Sequence, residues 1–282
     1  MSQTRDGHTI CSLTLMTPAN KIWIGTSNVV VPGNKTTFPP VFQQSSRLHY
    51  YASIFNSVEI NSSFYKIPQE KTYEKWATEV PPSFRFSIKL TKEASHAKNL
   101  EWNEEAVEKF MQTAKGLGNK KGSLLIQFPG KITLDHFNEV QRILEKISTL
   151  DYDHSWHKAV EFRNNSWYIS ETRELLNEFS AGMVLHDHPK AKMNEVKDKA
   201  DFVYLRYHGP KGDYRDSYSD VFLEQQASQI KDWLKDGRTV YAYFNNTIGN
   251  AFENAKHLQH LLTSKNDKNS SIAKHAKGRK AR

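Results

Sequence analysis

Ser57-Val58-Glu59-Ile60-Asn61 alternates polar and apolar side chains, and that alternation decides how the chain folds. Successive side chains of a strand leave opposite faces. Val58 and Ile60 therefore share one face, and Glu59 and Asn61 the other. The same rule runs through Arg85-Phe86-Ser87-Ile88-Lys89, Ala159-Val160-Glu161-Phe162-Arg163, Tyr204-Leu205-Arg206-Tyr207-His208 and Tyr241-Ala242-Tyr243-Phe244-Asn245. In each, Val, Ile, Phe or Leu side chains form one face, while charged or amide groups lie on the other. Converging strands retain such groups only when they are paired or used.

Working outward, eight strands are expected. They are Ile22–Gly25, Val58–Asn61, Phe84–Lys89, Ser123–Phe128, Ala159–Phe162, Gly182–Leu185, Phe202–Tyr207 and Thr239–Phe244. Helical spacing of apolar residues separates them. Ala106, Val107, Phe110, Met111, Ala114 and Leu117 make the most regular stripe, and Leu134, Phe137, Val140, Leu144 and Ile147 make another, with Thr133 as its expected cap. Only a weak, polar segment around Met193 and Val196 joins the sixth strand to the seventh. Strands alternating with helices imply parallel pairing through crossovers, and eight such units close a barrel filled by its own side chains. A doubly wound open sheet would need a glycine-rich nucleotide loop, and neither GxGxxG nor GxxxxGK[ST] occurs. The expected fold is α/β, a single (β/α)8 TIM-like barrel of eight parallel strands over residues 21–263. A loose N-terminal segment, 1–20, precedes it, and a basic, disordered tail, 264–282, follows.

Charge is unevenly placed. The formal net charge is +8, but Lys265, Lys268, Lys274, Lys277, Arg279, Lys280 and Arg282 stand against Asp267 alone, so the tail carries +6 and the body +2. Nucleic acid is therefore not an expected partner beyond weak binding by the tail. The one cysteine, Cys11, excludes a disulfide framework and a thiolate metal cluster. No apolar run reaches the length of a membrane span, and the N-terminus is a poor secretory signal, so a cytoplasmic protein without membrane contact is expected.

In a (β/α)8 barrel the inward residues at the C-terminal strand ends surround the site. Alternation then offers Glu59 and Asn61, Ser87 and Lys89, Gln127, Glu161 and Arg163, Asp187, Arg206 and His208, and Tyr243 and Asn245. Glu59, Lys89, Glu161, Asp187 and His208 are the candidate catalytic groups, because carboxylates, imidazoles and a depressed lysine move protons. Lys89 would also form a Schiff base if desolvated, although nothing local in the sequence marks it so. Arg163 and Arg206 offer planar forks for a carboxylate or phosphate. Asn61, Tyr65, His96, Gln127, Tyr243, Asn245 and Asn246 complete the candidate binding set. The competing reading is a buried salt-bridge network that only fills the barrel top. Asn246–Gly249 either binds an anion through free N–H groups or is capped by Thr247 or Asn250. His186-Asp187-His188 looks like a metal motif, but alternation turns His186 to the helix side; no metal and no cofactor is expected, a divalent ion being the secondary reading.

These residues also carry a family resemblance. Gly25-Thr26-Ser27, Tyr50-Tyr51-Ala52, Val58-Glu59-Ile60-Asn61-Ser62-Ser63-Phe64-Tyr65 and Leu125-x-Gln127-Phe128-Pro129 are part of it. So are Ala159-Val160-Glu161-Phe162-Arg163, Asp187, Tyr204-x-Arg206-x-His208-Gly209, Tyr218-Ser219-Asp220 and Asn245-Asn246-Thr247. In order, over about Ile22 to Leu262, they resemble the YecE-like proteins, domain-of-unknown-function family 72. The resemblance implies a TIM-like barrel and no particular reaction. Two positions depart from the family pattern: Asn28-Val29-Val30 stands where Gly and an aromatic residue are usual, and Asn164 where histidine is usual. If either contacts substrate, specificity differs here.

Three functions compete. An enzyme would use acid/base chemistry on a small polar anion, a phosphorylated or carboxylated sugar-like molecule. A metabolite-binding module would use the same ring without catalysis. A nucleic-acid protein would use the tail and exposed aromatics.

Overall fold

A computed structural model describes residues 21–195 and 198–264. The expected loose segment 1–20, Val196, and the expected disordered tail beyond Ser264 lie outside the described residues. The strands are β1 (Ile22–Thr26), β2 (Ser57–Ile60), β3 (Arg85–Lys89), β4 (Lys121–Phe128), β5 (His157–Phe162), β6 (Ala181–Met183), β7 (Leu185–His186), β8 (Phe202–Tyr207) and β9 (Thr239–Phe244). Between them run α1 (Arg47–Ala52), α2 (Ser62–Tyr65), α3 (Glu70–Thr78), α4 (Lys92–Ser95), α5 (Glu104–Thr113), α6 (Phe137–Leu150), α7 (Ser170–Glu178), α8 (Asp220–Lys235) and α9 (Ala251–Thr263).

All the strand pairings are parallel, but they form two sheets rather than the one eight-stranded ladder expected: β1-β9-β8-β7 and β2-β3-β4-β5-β6. The expected sixth strand is two strands. Ala181–Met183 pairs with β5, Leu185–His186 pairs with β8, and Val184 between them donates its N–H to Val160 O at 2.8 Å. The chain changes partners there, so the ladder changes sheet. At the other seam, β1 and β2 touch by a single bridge, Ser27 to Glu59. Side chains replace the missing ladder. Asn56 accepts from Ile24 N at 2.9 Å and donates to Ile22 O at 2.8 Å. Tyr51 Oη accepts from Thr26 N at 2.7 Å and donates to Ser57 O at 3.0 Å. A Cβ at Gly25 would lie 2.0 Å from Ser57 O, so only glycine admits this crossing.

The alternation divides the core. Val58, Ile60, Phe86, Ile88, Val160, Phe162, Leu205 and Phe244 are buried in the layer shared with the helices. Trp23, Leu125, Ala159, Tyr204, Tyr241 and Tyr243 form a second cluster on the opposite strand faces. Each helix buries its apolar stripe, Val107 and Phe110 in α5 and Ile143 and Ile147 in α6 among them. Two local expectations are corrected. Thr133 makes no capping bond, because its hydroxyl donates to Asp135 at 2.8 Å and the next N–H, of Leu134, goes to Ser166 Oγ. The sixth crossover contains no helix among the described residues. A cavity of about 180 Å³ lies beside it, lined by Leu185, Leu205, Tyr207, Phe222 and Trp233.

Candidate functional site

Glu59 on β2 is fully buried, and four donors meet its carboxylate. Arg206 on β8 grips it in two places, Nε to Oε2 and Nη2 to Oε1, both 2.9 Å. Ser27 Oγ adds a bond of 2.6 Å and Tyr204 Oη one of 2.8 Å. The same guanidinium reaches Glu161 Oε2 at 2.6 Å through Nη1, and Glu161 Oε1 accepts from Arg163 Nε. One line of alternating charge thus runs Glu59, Arg206, Glu161, Arg163. Arg163 continues it, donating to Tyr214 Oη at 3.1 Å and His208 Nε2 at 2.9 Å.

The histidine's tautomer follows. A guanidinium only donates, so His208 Nε2 accepts and Nδ1 carries the proton, facing Asp187 Oδ1 at 3.2 Å. Asp187 also receives the His208 backbone N–H at 2.8 Å and the Tyr218 hydroxyl. Tyr218 Oη in turn accepts from Gly209 N at 2.6 Å.

Burial alone would raise the carboxyl pKa values, but the guanidinium groups and hydrogen bonds outweigh it. Arg206 holds Glu59 below its ordinary value, and Arg163 and Arg206 hold Glu161 well below. Hydrogen bonds from His208 and Tyr218 do the same for Asp187. Burial pushes His96, His186 and His188 down to about 4, and lowers His208 too. Lys89 differs. Burial, with Arg206 nearby, brings it down to about 8, within reach of neutral pH.

The expected residues therefore separate. Glu59 and Glu161, expected to move protons, are instead locked anions whose lone pairs face donors. Arg206, expected to clamp a ligand, is 2% exposed and held by the two glutamates through all three of its nitrogens. Tyr243 lies in the inner cluster beneath the site, with its hydroxyl 2.5 Å from Ser57 Oγ and 2.8 Å from Ser87 Oγ. Asn246 is buried and laces Asp216 O to Asn254 Oδ1. The N–H groups of Ile248, Gly249 and Asn250, expected to receive an anion, go to Tyr214 O, Asn246 O and Asp216 O. Neither Thr247 nor Asn250 caps α9 with a side chain. His186 faces Phe162 O and the Tyr168 hydroxyl, and among the described residues no cluster of three His, Cys, Asp or Glu side chains suits a metal ion.

The remaining candidates lie at or just beyond the C-terminal ends of their strands and are less deeply buried. Lys89 Nζ donates to Gln127 Oε1 at 2.7 Å and sits 4.1 Å from the Phe64 ring centre. His96 packs edge-on to the same ring at 4.6 Å. Asn61 and Asn245 are part-buried, and Tyr65 is 71% exposed at the rim. The two departures from the family pattern have backbone roles. Asn28 takes a left-handed φ of 64° and accepts from Asn61 N, and Asn164 spans Ser166 N and Gly130 O. Sequence reasoning missed Ser27, Tyr204, Tyr214 and Tyr218 as site residues. Tyr204 shares the parity of Arg206, so the alternation already contained it; Ser27 and Tyr218 stood in the family motifs.

The family model described as "Protein of unknown function DUF72" matches residues 23–278. The UPF0759 protein YunF of Bacillus subtilis is 26% identical over 256 residues, covering 80% of this chain and 89% of that protein. The UPF0759 protein YecE of Escherichia coli is 29% identical over 82 residues, covering 29% of this chain and 30% of its own. The crystal structure of a DUF72 family protein from Enterococcus faecalis superposes with a TM-score of 0.71 at 24% identity, covering 87% of this chain and 97% of that one.

Proposed function

From the premise that this chain belongs to the DUF72 family of proteins of unknown function, we propose an enzyme that binds a small polar anion at the C-terminal strand ends and moves protons through Lys89. We also infer that the two parallel sheets are arcs of one (β/α)8 barrel; the Ser27–Glu59 bridge and the Val184 bond to Val160 support that closure.

One observation carries the function: both buried glutamates are occupied by guanidinium groups, so the donors left for a ligand at the C-terminal strand ends are those of Arg163 and Lys89. Arg163 keeps two N–H groups beyond those given to Glu161, Tyr214 and His208, and Lys89 faces only neutral partners. Lys131 adds positive potential at His96. A carboxylate or phosphate would find donors there, with Gln127, Asn61 and Asn245 available for hydroxyl or carbonyl groups. Lys89 is the acid/base group because its pKa is brought down to about 8, toward neutral pH, while Arg163 and Arg206 hold Glu59 and Glu161 as anions.

Calorimetric titration with inorganic phosphate tests the anion site. Binding should weaken at least tenfold in Lys89→Met, the loss of one charge-assisted contact. Equal affinity in the two proteins would move the site elsewhere. A second reading has support of its own. The carboxylates are saturated and the His208 lone pair is taken by Arg163, as suits a module that holds a metabolite without transforming it.

A further inference from the structure

We infer that the Lys89 amine is a covalent nucleophile that condenses with a small carbonyl compound bearing a carboxylate or phosphate, forming an imine. This deepens the anion site proposed above and rests on it. Two lysines are buried among the described residues, Lys120 and Lys158. Lys120 ties down a turn, donating to Val80 O at 2.9 Å and Pro81 O at 2.6 Å. Lys158 lies 3.8 Å from the buried Asp151. Each has a structural partner that accounts for its burial. Lys89 is held by neither backbone nor carboxylate: among the described residues it makes no ion pair, and its amine meets the Gln127 side-chain amide and the Phe64 ring.

A desolvated ammonium without a counter-charge is costly unless it can shed its proton. Glu59 and Glu161 are both engaged with arginines, which stay protonated throughout the accessible pH range. Of the cations converging here, the lysine is the one that can discharge. Burial and the neighbouring Arg206 and Arg163 favour the neutral amine; Glu161 and Glu59 oppose it, and the balance falls at about 8. The neutral amine donates one N–H to Gln127 Oε1, which fixes its direction and leaves the lone pair free. The two spare N–H groups of Arg163 would receive the anionic end of the ligand.

The step balances without a redox partner. The nitrogen lone pair forms a bond to the carbonyl carbon, and the oxygen takes a proton to give a carbinolamine. The nitrogen lone pair then expels the oxygen, which takes a second proton from solvent and leaves as water, and the nitrogen gives its one remaining proton back to solvent. The product is Lys89 Nζ=C plus water.

Glyoxylate, a small anionic aldehyde, is the probe. The intact protein is treated with it and sodium borohydride, which reduces the imine to a stable carboxymethyl amine, and peptides are mapped by mass spectrometry. At pH 7 an amine titrating near 8 has on the order of a hundredfold more free base than an ordinary lysine. Lower basicity offsets part of this, so Lys89 should be labelled about tenfold faster than exposed lysines such as Lys71 or Lys92. Excess phosphate should slow that labelling, and its rate should rise with pH to a plateau above about 9. Phosphate binding with Lys89 labelled no faster than the exposed lysines overturns the imine and leaves the anion site standing. Neither binding nor selective labelling overturns both.

Discussion

At the scale of single residues, the main lesson is which charges are free. Alternation alone identified Glu59, Glu161, Arg163 and Arg206 as facing inward. It could not say that they would satisfy one another, because that depends on which strands meet across the interior. The competing expectation, a salt-bridge network filling the site, describes the glutamates and Arg206 well. Arg206→Leu should therefore destabilise the fold by roughly 3–5 kcal/mol, since two buried carboxylates lose their counter-charge. Urea unfolding measures it, and adding Glu59→Gln and Glu161→Gln should recover part of the loss. A single variant within 1 kcal/mol of the parent would mean that the lattice is not a structural unit.

At the scale of elements, the strands were legible because their period of two is strong and local. The break at Val184 was not. Val184 continues the apolar run, and the change of neighbour that splits the strand is a long-range choice. The missing sixth crossover helix was foreshadowed by the polar stretch around Met193. The β1/β2 seam was invisible too, because Tyr51 reads as one more apolar residue on a helical stripe, yet its hydroxyl stands in for a rung of the ladder. Tyr51→Phe keeps the ring, removes both bonds and leaves Thr26 N and Ser57 O without that partner, so about 2–3 kcal/mol of stability should be lost. A change below about 0.5 kcal/mol in chemical denaturation would show that the seam does not depend on it.

Across the whole molecule, the depressed histidines set a pH response. Folded His186 and His188 gain protons only near pH 4, whereas the unfolded chain gains them near the ordinary value of 6.5. Between those values the unfolded state binds more protons. Stability present above about pH 6.5 should therefore fall as the pH drops toward 4, by on the order of 1 kcal/mol for the well-buried His186 at pH 5. Melting temperatures between pH 7.5 and 5 report this, and a flat profile would contradict it. The lattice itself has a different consequence. Glu59 and Glu161 stand on strands of the five-stranded sheet, and Arg206 on a strand of the four-stranded sheet. Parting the sheets would strand both signs of charge in an apolar gap, so a half-open molecule is worse than either end state. Charge that adds little to the depth of the native well thus raises the wall around it, and the two sheets come apart together or not at all.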